Sequence, residues 1–169
     1  MNYIKYLFFS IIIIGLASCS STQYLTDSLG SVDASQFASY TLEDNCGDDI
    51  NPIMQIRIKN AIQKTLRSRN LTNNENADLL VKYFVKNTNK KYVQECRDDY
   101  LRWEGGTKCI DRVISYEEGS IVVDMIDTRT NTIIWHGAAY GPSWDRLSDP
   151  DKHINSTVSN LLDRFFIQQ

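Results

Sequence analysis

Residues 120–140 read Ser120-Ile121-Val122-Val123-Asp124-Met125-Ile126-Asp127-Thr128-Arg129-Thr130-Asn131-Thr132-Ile133-Ile134-Trp135-His136-Gly137-Ala138-Ala139-Tyr140, a β-hairpin spelled out in one run. From Ser120 to Asp127 the apolar side chains alternate. Ile121, Val123 and Met125 fall on one face, Val122 and Ile126 on the other. A two-residue period sends successive side chains to opposite sides of a strand, and β-branched residues suit that pleated surface. Thr128-Arg129-Thr130-Asn131 is a short turn, and Thr132 to Tyr140 is the antiparallel partner.

Upstream of the hairpin, Gln36 to Glu43 reads as a first strand with Phe37 and Tyr40 as its bulky residues, and Asp44 to Asp49 as a loop. A helix then starts at a clear signal. Asn51 is a capping residue, and Pro52 takes the first helical position, where its missing N–H costs nothing. Met54, Ile58, Ala61, Ile62, Thr65 and Leu66 recur at three- and four-residue spacing and form one apolar stripe. Lys64, Arg67 and Arg69 suit the negative end of the helix dipole, and Asn70 is a left-handed terminator. Ala77 to Asn87 is a second strand, and Lys90 to Ile114 an extended excursion or hairpin around Gly105-Gly106. Downstream, Asp149-Pro150 opens a second helix, with Ile154, Val158, Leu161, Leu162 and Phe165 as its apolar stripe. Strand, helix, several strands, helix is not an alternating βαβ pattern. It predicts an α+β fold in two layers: a mainly antiparallel sheet with two helices packed on one face.

The N-terminus carries a different message. Tyr6 to Gly15 is an apolar run behind Lys5, and it ends in Leu16-Ala17-Ser18-Cys19. Small residues followed by cysteine resemble the lipobox of bacterial lipoproteins. The resemblance implies cleavage before Cys19 and acylation of the Cys19 thiol and its new amino group. The alternative, a membrane-spanning helix over residues 3–17, falls short of the roughly 20 residues a bilayer core requires. The expected organisation is a signal peptide over 1–18, a flexible Ser/Thr/Asp-rich tether over 19–35 and a single domain over 36–169. Ser20, with no acidic residue directly after Cys19, favours an outer-membrane destination facing the periplasm, by analogy with lipoprotein sorting.

Composition narrows the function classes. The 169 residues carry a net charge of −3 and a pI near 5.3, which argues against a nucleic-acid partner. Of four cysteines, Cys19 is assigned to lipid, leaving Cys46, Cys96 and Cys109 in an oxidising compartment. Cys96–Cys109 closes the shortest loop and is the candidate disulfide. A tight turn at Gly105-Gly106 would put Cys96 opposite Ser115, so the pair requires a looser loop or a bulge. The cysteines lack paired metal-knuckle spacing, and no metal or other cofactor is expected.

Several of these segments resemble the bacterial lipoproteins grouped as domain of unknown function 4136. They are Ala61-Ile62-Gln63-Lys64-Thr65-Leu66-Arg67-Ser68-Arg69-Asn70, then Ala77-Asp78-Leu79-Leu80-Val81-Lys82-Tyr83, then Tyr116 to Asp127, then Thr132-Ile133-Ile134-Trp135-His136-Gly137-Ala138-Ala139, and the closing helix. The resemblance spans residues 36–166. Asn70 stands where the family usually has glycine, and the cysteine-bearing stretch 88–115 is longer than usual. The family implies a lipid-anchored envelope protein and supplies no activity or site residue.

No nucleophile motif, zinc-protease motif or phosphate loop is present. His136 lies mid-strand beside Trp135, and His153 in the first turn of the last helix, so no catalytic residue is assigned. Asp44, Asp48 and Asp49 lack calcium-loop spacing and read as a solvated loop before a helix. Trp135 reads as core. Tyr100, Trp103, Tyr140 and Trp144 read either as cover for a sheet edge or as a contact surface for protein or glycan. The expected function is non-enzymatic: an accessory or binding module, anchored to the membrane by lipid, with an envelope protein or glycan as partner. The alternatives are an envelope hydrolase acting on glycan or peptide, and a surface-exposed adhesin-like lipoprotein.

Overall fold

The computed structural model describes residues 22–30, 32–44, 50–94, 112–143 and 147–167. In chain order they form β1 (Gln23–Ser28), a 3-10 turn (Ala34–Gln36), β2 (Ser39–Asp44), α1 (Pro52–Ser68), β3 (Thr72–Asn73), β4 (Leu79–Gln94), β5 (Arg112–Asp127), β6 (Thr132–Pro142) and α2 (Pro150–Ile167).

Both helices begin where the capping residues place them. The Asn51 side chain accepts the Ile53 N–H at 2.9 Å, and the Asp149 carboxylate accepts the Lys152 N–H at 3.1 Å. α1 is terminated two residues past Ser68 by Asn70, whose φ of 65° is left-handed. There the Leu71 N–H returns to the Leu66 carbonyl and the Asn70 N–H to the Arg67 carbonyl, the two bonds of a Schellman cap. Leu66 and Leu71 both enter the core. The helices lie side by side. Arg57 Nε meets Asp151 at 2.9 Å and Arg69 meets Asp163 at 2.5 Å. Each helix separates its two partners by twelve residues, so the helices run parallel and in register over about 18 Å.

The sheet explains why. Its strand order is β1-β6-β5-β4-β2-β3. β1, β6, β5 and β4 pair antiparallel in that sequence, while β2 pairs parallel with both β4 and β3. α1 is the crossover that parallel β2 and β4 require. β2 and β6 point the same way, and each feeds a helix. The architecture is the α+β fold expected, with the sheet mixed where β2 joins it.

Three boundaries differ from the sequence reading. Residues 19–35 are not a flexible tether from residue 23 onward. β1 pairs with β6 from Gln23 opposite Tyr140 to Ser28 opposite Trp135. Tyr24 packs against the core, with the Arg164 guanidinium 4.9 Å from its ring centre. The strand expected from Gln36 begins at Ser39, behind the 3-10 turn. The second strand runs on to Gln94, because β4 and β5 stay paired from Leu79 opposite Asp127 to Gln94 opposite Arg112. Ser115 therefore lies opposite Lys91, not Cys96.

The core lies between sheet and helices. Leu79, Val81, Tyr83 and Val85 of β4 and Ile121, Val123 and Met125 of β5 are buried against Ile58, Ile62, Leu66, Ile154, Val158 and Leu161. The β5–β6 register shifts by one between Met125 and Ile126: Ile126 pairs with Ile133, and Met125 with Trp135. The extra residue, Ile134, bulges. Ile134 and Trp135 are thus both buried, and His136 turns outward. Trp135 lies across Gly137, where a β-carbon would overlap indole atoms Cη2, Cζ2 and Cζ3. Phe165 meets the indole edge-on, with ring centres 5.8 Å apart.

Candidate contact surface

The sheet face away from the helices carries the charges and apolar side chains that the core leaves over. Register aligns them in rows across the strands. One row is charged: Glu43 of β2, Lys82 of β4, Asp124 of β5, His136 of β6 and Asp27 of β1. Lys82 Nζ is 3.1 Å from Glu43 Oε1, and His136 Nδ1 is 2.5 Å from Asp124 Oδ1. Asp27 accepts the Ser28 N–H. On one side of this row Phe84, Val122, Ala138 and Leu25 stand abreast. On the other stand Leu80, Ile126 and Ile133. Leu25 is 62% exposed and Ile133 52%. Leu80, Phe84 and Val122 are half-buried, and Ala138 and Ile126 are buried. A strand face meant only for water alternates to polar residues. Here two apolar rows flank one charged row, the pattern of a surface that meets something.

Hydrogen bonds hold the end of the sheet. The Asp127 carboxylate accepts the Arg129 N–H at 2.9 Å and grips the Arg129 guanidinium at 3.1 and 2.8 Å. The guanidinium lies 5.7 Å from the Phe37 ring centre and donates to Gln36 at 3.3 Å. Thr128 Oγ1 donates to the Ala77 and Asp78 carbonyls, and Asp78 accepts from Ser39 Oγ at 3.0 Å. The β5–β6 turn thereby ties together the starts of β2 and β4. Arg129 holds the Asp127 carboxyl below the usual carboxylate range.

The two histidines are not brought together. His136 stands on the open sheet face with half of its side chain exposed, and His153 lies in the first turn of α2, in the helix layer. Behind the sheet edge, Ser28, Gly30, Val32, Ile134, Trp135 and Phe165 line a crevice of about 10 Å³, the space of one water. The buried Trp135 Nε1 has no hydrogen-bond partner among the described residues.

Of the expected contact residues, Tyr140 is described. It sits half-buried in β6 between Gln23 and Ser120, in a strand and not a turn. Tyr100, Trp103 and Trp144 lie outside the described residues, as do Cys19, Cys46, Cys96, Cys109, Asp48 and Asp49. Among the described residues no cluster of three or more histidine, cysteine, aspartate or glutamate side chains is placed to hold a metal. The sequence reading missed the charged row. Its signal was present: Lys82, Asp124 and His136 each interrupt an apolar strand on the outward parity.

Fold and surface define a two-layer α+β domain with a charged row between apolar rows on its open face. The chain belongs to the family described as Domain of unknown function (DUF4136), whose model matches residues 23–165. No curated protein matches it. Among solved structures it is similar to the PelC dodecamer from Paraburkholderia phytofirmans, at 12% identity and a TM-score of 0.54, over 88% of this chain and 100% of that one. A variant PelC dodecamer from the same organism matches at 13% and 0.53 with the same coverage. A PDZ domain protein from Parabacteroides distasonis matches at 14% and 0.54, over 95% of this chain and 40% of that one. At these identities the likeness is one of fold.

Proposed function

We propose that this chain is a lipid-anchored protein of the bacterial cell envelope that works by contact, as a non-enzymatic accessory or binding module. The observation that carries the reading is the seating of Leu16-Ala17-Ser18-Cys19 directly ahead of the domain. β1 and the family match both begin at Gln23, four residues after Cys19. In this reading residues 1–18 are removed and Cys19 is acylated. Two or more acyl chains, at about 0.8 kcal/mol per buried methylene, hold the domain on the membrane. Ser20 favours the outer membrane, with the domain in the periplasm. The apolar rows of the open face support a role carried by a surface. So does the shared fold with PelC, a protein described as a dodecamer. The partner is an envelope protein or glycan, and Tyr100, Trp103, Tyr140 and Trp144 are proposed to add to the contact.

In-cell crosslinking of the tethered full chain, followed by identification of what it captures, tests this reading. Trp103→Ala or Trp144→Ala should weaken capture by tenfold or more, since interface aromatics lose about 2 kcal/mol or more on truncation. Capture unchanged in both variants would remove these aromatics from the contact.

A second reading, an envelope hydrolase, draws on the contact between His136 and Asp124, the arrangement that orients a general base. Against it stands the position of the pair, on an open strand face and away from the Trp135 crevice. Release of soluble fragments from cell-wall material by the purified protein, lost in His136→Ala, would establish the hydrolase over the contact module.

A further inference from the structure

We propose that the open sheet face docks a second copy of this chain about a two-fold axis that runs along the strands, midway between β4 and β5. The argument is charge complementarity. Rotation about such an axis keeps each row in place along the strands and reverses its order across them. Lys82 then faces Asp124 of the second copy, and Glu43 faces its His136. Lys82 and Asp124 at the centre of the row carry opposite signs that exchange on reversal, and Glu43 is brought to the His136 imidazole. The same rotation sets apolar against apolar: Phe84 against Val122, and Leu80 against Ile126. An isologous interface needs such a self-complementary patch, in which residue i meets residue j and j meets i.

The rows divide the labour. The half-buried Leu80, Phe84 and Val122 supply the apolar area that drives association, while Ile126, 8% exposed, adds little. The charges fix the register, because a copy shifted by one strand would set Lys82 against Lys82 or Asp124 against Asp124, and like charges facing each other cost several kcal/mol. Two right-twisted sheets pack face to face about 10 Å apart, within reach of lysine, glutamate and histidine side chains.

This inference deepens the contact reading above and rests on it only in taking the open face as the working surface. A chain that captures an envelope partner but never a second copy would remove this proposal and leave that reading intact.

The test uses two differently tagged full chains, co-expressed and solubilised, with co-capture of one by the other as readout. Wild type should co-capture wild type. Lys82→Asp paired with itself, and Asp124→Lys paired with itself, should each fall by about tenfold or more, because both charge contacts become repulsive. Lys82→Asp paired with Asp124→Lys should regain capture. In that mixed pair Asp124 of the first chain faces Lys82 of the second, and the two substituted residues face each other with opposite charge. Recovery shows that both variants are folded and that the contact is between chains. Absence of wild-type co-capture, capture undiminished in the self-paired variants, or failure of the mixed pair to recover would overturn the proposal.

Discussion

Gly137 has no side chain because the Trp135 indole occupies the space one would need. Gly137→Ala should therefore displace the indole and lower stability by about 1–3 kcal/mol, the cost of overpacking a tight core. Urea unfolding of the variant beside wild type measures it, and an unchanged midpoint would refute the packing described. Asp127 and Arg129 make a second local prediction. Arg129 lowers the Asp127 carboxyl in the folded chain. A carboxylate whose folded value is depressed stabilises the fold fully above the unfolded carboxylate range, and that stability is lost as pH falls from there through the lowered folded value. Wild type should outlast Arg129→Gln at pH 7, by a margin kept small because Arg129 is half exposed, and the margin should close in acid. A margin that widens in acid would contradict the pairing. Single residues were unevenly legible in the sequence. Asn51, Asn70 and Asp149 act within one turn of themselves, so their roles could be read locally. The facing of His136 depends on the bulge at Ile134, which strand alternation alone does not reveal.

At the scale of elements, α1 and α2 were legible from caps and stripes, while β1 was not. Gln23 to Ser28 holds one large core-facing side chain, Tyr24, and its outward positions include Gln23 and Asp27. An edge strand needs little apolar surface, so its composition reads as a spacer. A chain that begins at residue 36 loses β1 together with Ser28, Gly30 and Val32 from the wall around Trp135. It should melt at a lower temperature than one that begins at residue 22, and equal melting would show β1 to be dispensable. The far ends of β4 and β5 were missed for a related reason. Residues 87–94 are mostly polar and show no strand alternation, yet they stay paired with β5. That ladder bears on the cysteines. Gln94 and Arg112 are opposite one another, and Cys96 and Cys109 follow within two and three residues of those ends. The predicted disulfide is Cys96–Cys109, with Cys46 unpaired. Peptide mapping without reduction decides it, and a bridge to Cys46 would contradict it.

At the scale of the molecule, topology joins what the sequence shows only in pieces. The βαβ crossover through α1 and the hairpin ending in α2 set two parallel helices on one face, and among the described residues no helix lies on the other. The α+β class followed from the order of elements. The composition of the open face did not, because its rows combine residues from five strands whose register no single segment encodes. A lipidated Cys19 a few residues ahead of this domain is the proposed anchor, and metabolic labelling with a fatty-acid analogue tests it most directly. Wild type should take up the label and be shortened at residue 19, while Cys19→Ala should remain full length and unlabelled. Equal labelling of the variant, or no label on wild type, would contradict the account.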